Sequence, residues 1–461
     1  MRERFDVVVI GAGASGVLCA VHLRARAPAL RVALLDAGAR AARGLAYGTP
    51  YGAHLLNVPA AKMSARADEP DHFLSWLRAK HPAATGADFA PRRLYGEYLA
   101  DVLDEASENT TPGSPASLER IPGTAVGLTR QFDGQFDGWC VHFPDGRAVT
   151  AQAVILALGN LPPADPFPSS AAAPRRYLRD PWAPGAAQGL LPDDPILVIG
   201  TSLTMIDLVL SLRVEGHRGV IHALSRHGRL PKAHADVPRR SISAPPVASP
   251  RSVARWLRGE LAAAAAEGHD WRTVIDGLRP HTQAIWRGWS AFERGSFLRH
   301  ARGLWDIHRH RAAPEVASQI AAQLESGSLR IHRGRLRAMQ EDALGVDVVF
   351  ASQAGREETL RVARVINCTG PSSNYETVDL PLVVQARRAG WLVPDTAALG
   401  VVTDGAGRLL ASDGAPVSGL FTIGPLCRPA LWESTAIPEI REQAAALAVL
   451  LGDEVAARAA R

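Results

Sequence analysis

"VVVIGAGASGVLCAVHL", Val7–Leu23, is the stretch on which the reading of this chain turns. Val7–Ile10 is a short, β-branched apolar run, the pattern of a buried parallel strand. Gly11-Ala12-Gly13-Ala14-Ser15-Gly16 follows directly and fits G-x-G-x-x-G. Each glycine has a physical task. Gly11 permits the tight turn, Gly13 lets the backbone approach a pyrophosphate, and Gly16 lets the helix pack close to the strand. The helix start, with Ser15 in its first turn, then offers free N–H groups and a positive dipole end to the phosphates. A second strand, "LRVALLDAG", ends at Asp36 and Ala37. That acid lies about twenty residues past the glycines, where a carboxylate accepts from a ribose 2′-hydroxyl. The order strand, glycines, helix, strand, acid predicts dinucleotide binding. The acid favours FAD or NAD over NADP.

A second strand–glycine–helix turn lies mid-chain in "PILVIGTSLTMIDLVLSL", Pro195–Leu212. Gly200 holds the first-glycine position, with Ser202 and Met205 in place of the other two. Side chains there are expected to hinder close approach of a pyrophosphate. The next strand, in "GVIHALSRHGRLPKAH", ends at Ser225-Arg226 instead of an acid, with Arg229 close behind. A cation in place of the ribose-reading carboxylate suits a 2′-phosphate. Ser202 and Thr204 offer hydroxyls to the phosphates. The expectation is a second nucleotide site that prefers NADPH; the alternative is an ordinary βα unit followed by a solvated basic loop.

The 461 residues suffice for two or three domains, and 47% hydrophobic with 21% charged residues is ordinary globular composition. Lys and Arg number 51 against 46 Asp and Glu, a net charge of +5. The signs are mixed along the chain, which argues against a nucleic-acid partner. A small positive excess suits a phosphate site or an acidic small-molecule substrate. The four cysteines have no C-x-x-C spacing, against a redox dithiol or a zinc ribbon. The run from Val7 to Leu23 is broken by glycines and reads as strand plus helix, not a membrane span. "MRERF" leads straight into it with no signal peptide, so a cytoplasmic location is expected. Lysine occurs only at Lys62, Lys80 and Lys232. In so Arg-rich a chain, Lys62 and Lys232 stand out, since the two cations are not interchangeable.

Two further stretches resemble each other: "AVILALGN", Ala153–Asn160, and "RVINCTGP", Arg364–Pro371. Each is an apolar strand closing on a glycine, Gly159 or Gly370, where the chain would pass between domains. A meander of short alternating segments precedes each. Near the end, "GLFTIGPLCRPALWESTAIPEIREQ" reads as a strand over Leu420–Ile423, Gly424-Pro425, a loop, and a helix from about Pro438.

On these segments, with "GLAYGT", "HLLNVPAAKMSA" and "HALSRHGRLP", the chain resembles the two-dinucleotide-binding flavoproteins. More narrowly it resembles a bacterial group of FAD/NAD(P)-binding proteins related to flavin-containing and N-hydroxylating (class B) monooxygenases. The resemblance implies an α/β fold of two Rossmann-like three-layer dinucleotide-binding domains. The FAD domain is discontinuous, over 1–165 plus 361–461. The NAD(P)H domain takes 190–237 plus 315–360, and a mainly helical insertion takes 238–314. FAD would lie on Gly11, Gly13, Ser15 and Gly16, with Asp36 and Ala37 at the adenosine ribose. Gly159, Gly370, Gly424 and Pro425 would border it, and Ile437 and Pro438 would meet the pyrimidine edge. NADPH would take Gly200, Ser202, Thr204, Ser225, Arg226 and Arg229.

The loop "ARGLAYGTPYGAHLLNVPAAKMSAR", Ala42–Arg66, follows the Asp36 strand. Long loops inside compact domains are usually functional. Asn57, with Val58, is expected at the flavin, and Asn57 and Lys62 are the catalytic candidates; the alternative is that they only stabilise the loop. His54 reads as structural. The insertion is helical by period, a substrate lid or a homodimer surface. His308 and His310 fall on different helix faces, so no metal is expected. The activity implied is an NADPH-using, FAD-dependent monooxygenase acting through a C4a-(hydro)peroxyflavin on a soft nucleophile such as an amine or amino-acid nitrogen. The alternatives are a flavin reductase or oxidase, and a nucleotide-binding sensor without turnover.

Overall fold

The computed structural model describes residues 3–38, 42–108, 117–133, 136–167, 175–183, 185 and 188–459. In chain order the strands are β1 (Glu3–Ile10), β2 (Val32–Asp36), β3 (Leu118–Pro122), β4 (Gly127–Phe132), β5 (Asp137–His142), β6 (Ala148–Leu156), β7 (Tyr177–Leu178) and β8 (Ile196–Ile199). They continue with β9 (Ile221–Ser225), β10 (Leu329–Glu341), β11 (Val346–Ser352), β12 (Glu357–Val362), β13 (Arg364–Asn367), β14 (Arg408–Leu410) and β15 (Pro416–Thr422).

The first sheet runs β14-β15-β6-β1-β2-β3, with β5 and β4 continuing from β6. Its centre is parallel: β1 pairs with both β2 and β6, and β15 with β6. Helix Ala14–Arg26 packs on one face against the tail helix Ile437–Ala459. On the other face Phe5, Val8, Leu35 and Val154 pack with Trp139, Leu382 and Val383. Burial on both faces explains why the Val7–Ile10 end of β1 is a continuous apolar run and not alternating.

The second sheet runs β12-β11-β10-β9-β8-β13-β7. Its middle is parallel from β10 to β7, and β11 and β12 add an antiparallel meander. Helices Leu203–Val214 and Pro314–Glu325 share a core with Val198, Ile221 and Ile366. One expected boundary moves. β13 bonds β8 and β7, so residues 364–367 belong to the second sheet and not to the discontinuous first domain. A short apolar parallel strand carries no mark of which neighbour it will bond, and β7 lies outside both expected ranges.

The insertion is helical, as expected, with helices Pro250–Ala266, Trp271–Leu278, Thr282–Gly288, Ala291–His300 and Arg302–Arg309. Its core is Val253, Leu278, Ile285, Trp286 and Trp289, joined by Trp432 from the tail. Among the described residues no helix is long and apolar enough to cross a membrane.

Candidate nucleotide sites and the chamber between them

The first turn is shaped by close approach. Gly11 has φ +110°, and a Cβ there would lie 2.5 Å from the carbonyl oxygen of Ala157 at the end of β6. A Cβ on Gly16 would lie 1.8 Å from the carbonyl oxygen of Gly11. Gly13 differs: its nearest neighbour would be Gly44 Cα at 3.8 Å, so the space above it is open. Gly13 also caps the helix with no side-chain hydrogen bond, leaving the helix N–H groups to a ligand. The tail closes the turn from outside, where a Cβ on Gly424 would meet Ser15 Oγ at 2.5 Å.

These residues border a cavity of about 380 Å³ lined by Gly11, Gly13, Ser15, Ala37, Gly159, Pro425 and Ile437, with Arg43 and Gly123. Asp36 ends β2 between two of its lining residues, Leu35 and Ala37, and accepts from the Gly38 N–H at 3.0 Å. The phosphate cradle, the helix end and an acid at the strand end fit an FAD.

A second cavity of about 510 Å³ shares Tyr47, Asn160, Thr435 and Ile437 with the first, so the two adjoin. This inner chamber lies between the sheets. Asn57 and Val58 line it from the long loop, Thr204 and Gly370 from the second domain, and His310 from the insertion. The Asn57 carbonyl accepts from His234 Nε2 at 2.9 Å, while its amide makes no hydrogen bond to a described residue.

The second turn repeats the first. Gly200 has φ +118°, and its Cβ would lie 2.3 Å from the carbonyl oxygen of Cys368, beyond β13, as Gly11 meets Ala157 beyond β6. The expected obstruction at Met205 does not arise. Met205 is fully buried and packs in the core with Val198 and Ile221. Ser202 is exposed and caps helix Leu203–Val214 without a side-chain bond. Ser225, standing where Asp36 stands in the first domain, ties the turn through Thr201 Oγ1 at 2.9 Å and the Gly228 N–H at 3.0 Å. Arg226 is exposed. Arg226, Arg229, Arg333 and Arg335 surround His227, whose pKa is lowered by desolvation and by these four charges. Arg333 and Arg335 lie on β10, far along the chain, and nothing in the sequence pairs them with Arg226.

The structure separates two residues expected together. Lys62 is exposed and lines an outer basin of about 610 Å³ with Pro438, Arg239, Arg279 and Arg441, not the chamber of Asn57. Pro438 also faces this basin, whereas Ile437 before it lines both inner cavities, because successive residues of a helix point in different directions. Desolvation and the neighbouring Arg279, Arg311 and Arg239 lower the Lys62 pKa, against Asp276.

The chamber also gathers residues that no motif marks. Asp207 is buried and pairs with Arg92 at 2.8 Å, joining the two domains. Burial pushes the Asp207 carboxyl up, and Arg92 and His54 pull it back. His54 is fully buried, bonded to Thr49 Oγ1 at 2.8 Å and Ser211 Oγ at 2.7 Å, a structural histidine as expected. Burial, reinforced by Arg309, pushes His310 down to about 4, so its imidazole is neutral at pH 7. Arg309 is itself buried against Glu433 at 3.0 Å and Glu439 at 3.4 Å, pinning the insertion to the tail.

Residues 8–161 match a family model described as FAD-NAD(P)-binding. No curated protein sequence matches the chain. Among solved structures, L-lysine 6-monooxygenase from Pseudomonas syringae is similar at 15% identity and TM-score 0.66, over 98% of this chain and 100% of that one. Ornithine hydroxylase from Pseudomonas aeruginosa is similar at 14% identity and TM-score 0.65, also over 98% and 100%. Thioredoxin reductase from T. acidophilum follows at 12% identity and TM-score 0.54, over 99% and 100%. The chain thus has the two-domain fold of these flavoproteins, and its first domain is an FAD/NAD(P)-binding domain.

Proposed function

We propose that the protein is an FAD-dependent, NADPH-using monooxygenase that passes one oxygen atom to a small soft nucleophile, an amine or amino-acid nitrogen. The observation that carries this reading is the chamber between the sheets, which adjoins the first turn's cavity and is lined by Leu203 and Thr204 of the second turn's helix. Bound FAD, reduced by NADPH, supplies the activation of oxygen. The chain's own residues bind and orient. Gly13 and the helix N–H groups beside it would hold the pyrophosphate, with Gly11 and Gly16 shaping the turn, and the uncommitted Asn57 amide offers a donor and an acceptor in the chamber. The neutral His310 imidazole can accept a hydrogen bond from a substrate nitrogen in the chamber. Trp182, Pro371 and Thr435 line the chamber beside them. The names of the ornithine hydroxylase and L-lysine 6-monooxygenase neighbours point to the same kind of substrate.

A reductase is the second reading. Its dithiol form finds no support, since all four cysteines are buried and none is in a disulfide, and burial raises Cys19 and Cys427 to about 12. Steady-state kinetics of Arg226→Ala test the nucleotide assignment. Loss of a charge-assisted phosphate contact raises KM for NADPH about tenfold and leaves KM for NADH nearly unchanged. Unchanged NADPH kinetics contradict the second-turn reading.

A further inference from the structure

We propose that the helical insertion holds a separate binding site for a neutral, apolar small molecule, in a tryptophan-lined pocket that backs onto the chamber. The pocket measures about 350 Å³. Its walls are Trp271, Trp286, Trp289 and Trp305 from the insertion, Leu257 from helix Pro250–Ala266, and Trp432 from the tail. An apolar recess of this volume has the size of a small-molecule site, which starts at about 300 Å³.

Several polar atoms of the wall are engaged elsewhere, while Trp289 Nε1 is buried with no partner among the described residues and the exposed Arg258 also lines the pocket. Trp286 Nε1 donates to the Pro429 carbonyl at 2.9 Å, and Trp305 Nε1 donates to Glu433 at 3.2 Å. His308 Nδ1 is engaged by the Leu304 carbonyl at 2.8 Å. Against a wall of mostly ring faces and aliphatic groups a charged amino acid would lose hydration for little in return, whereas an aromatic or aliphatic body gains both burial and ring contacts. A protein partner fits less well. Over residues 238–314 the exposed large apolar side chains are Val247, Phe292 and Leu304, too few for the roughly 800 Å² per partner of a stable interface.

The pocket and the chamber share two walls. His308 lines the pocket and His310 the chamber, at one helix end. Trp432 lines the pocket and Thr435 the chamber, with Glu433 between them accepting from Trp305 and pairing with Arg309. An occupant therefore presses on the segments that border the flavin site. It is either the apolar body of the substrate or a separate effector.

The test titrates the full chain with N-phenyl-1-naphthylamine, a neutral apolar dye, following tryptophan-to-dye energy transfer, with naphthalene and free lysine as competitors. One saturable site per chain is expected, displaced by naphthalene and not by lysine. Leu261→Trp, which fills the pocket, and Leu257→Asp, which puts a charge in its wall, weaken binding at least about tenfold. Circular dichroism checks that each variant is folded; if Leu257→Asp is not, Leu261→Trp decides alone. Absence of saturable binding, or equal affinity in the folded variants, overturns the proposal. Substrate and effector are told apart by NADPH oxidation with the bound compound present: a substrate is consumed with NADPH, an effector is recovered unchanged. Only that last comparison rests on the oxidoreductase reading, and dye binding without NADPH oxidation would end that reading while leaving the pocket assigned.

Discussion

Gly13 and Gly16 stand three residues apart in one motif and face different constraints. A Cβ at Gly16 would sit 1.8 Å from the Gly11 carbonyl oxygen, whereas one at Gly13 meets only Gly44 Cα at 3.8 Å. Substitution at Gly16 therefore forces the helix away from β1, and substitution at Gly13 intrudes on the ligand. Gly16→Val is expected to destabilise the protein even without flavin, by several kcal/mol, as overpacking and strain do. Gly13→Val is expected to keep the fold and lose bound FAD. Thermal melts with flavin content measured on the same samples check both. Equal melting losses in the two variants would mean that both glycines serve packing alone. At this scale the sequence was most informative, because turn chemistry is local. It was least so for Lys62: residue type and loop position put it beside Asn57, while one turn of 3₁₀ helix, Ala60–Lys62, carries its side chain into the outer basin.

Secondary-structure elements carry the pH response. His234, on the segment that pairs with the insertion, and His310, at the end of helix Arg302–Arg309, are both pushed down to about 4, chiefly by burial. Such groups stay neutral in the folded chain below the pH at which the unfolded chain already binds their protons. Between about pH 6.5 and pH 4 the unfolded state holds more protons, so stability falls as pH falls through that window, by at most about 1.4 kcal/mol per pH unit for each group. Urea melts from pH 7.5 to 4.5 are expected to show this loss, and His310→Gln to reduce its slope. An unchanged slope in His310→Gln would place the titration elsewhere. Of these elements, the turn strands and the tail helix were legible from glycine spacing and apolar runs. β13 was legible as a strand but not as a member of the second sheet, and helical period in the insertion could not reveal that tryptophans from separate helices converge with Trp432.

At the scale of the whole molecule, the two sheets meet at the chamber. His54 and the Arg92–Asp207 pair tie the long loop and the first domain to helix Leu203–Val214. The insertion leans on the tail through Arg309, Glu433 and Glu439. These contacts fix the segments that line the chamber relative to one another. The domain pair was legible in the sequence because each half carries its own turn. The chamber was not, since its residues come from distant segments that only the fold brings together.

The most direct measurement is anaerobic reduction with NADPH in a stopped-flow instrument, followed by mixing with oxygenated buffer. A monooxygenase shows rapid flavin reduction, then a transient spectrum unlike either oxidised or reduced flavin before the oxidised form returns. Immediate return of oxidised flavin with stoichiometric peroxide, with or without an amine present, would contradict the account.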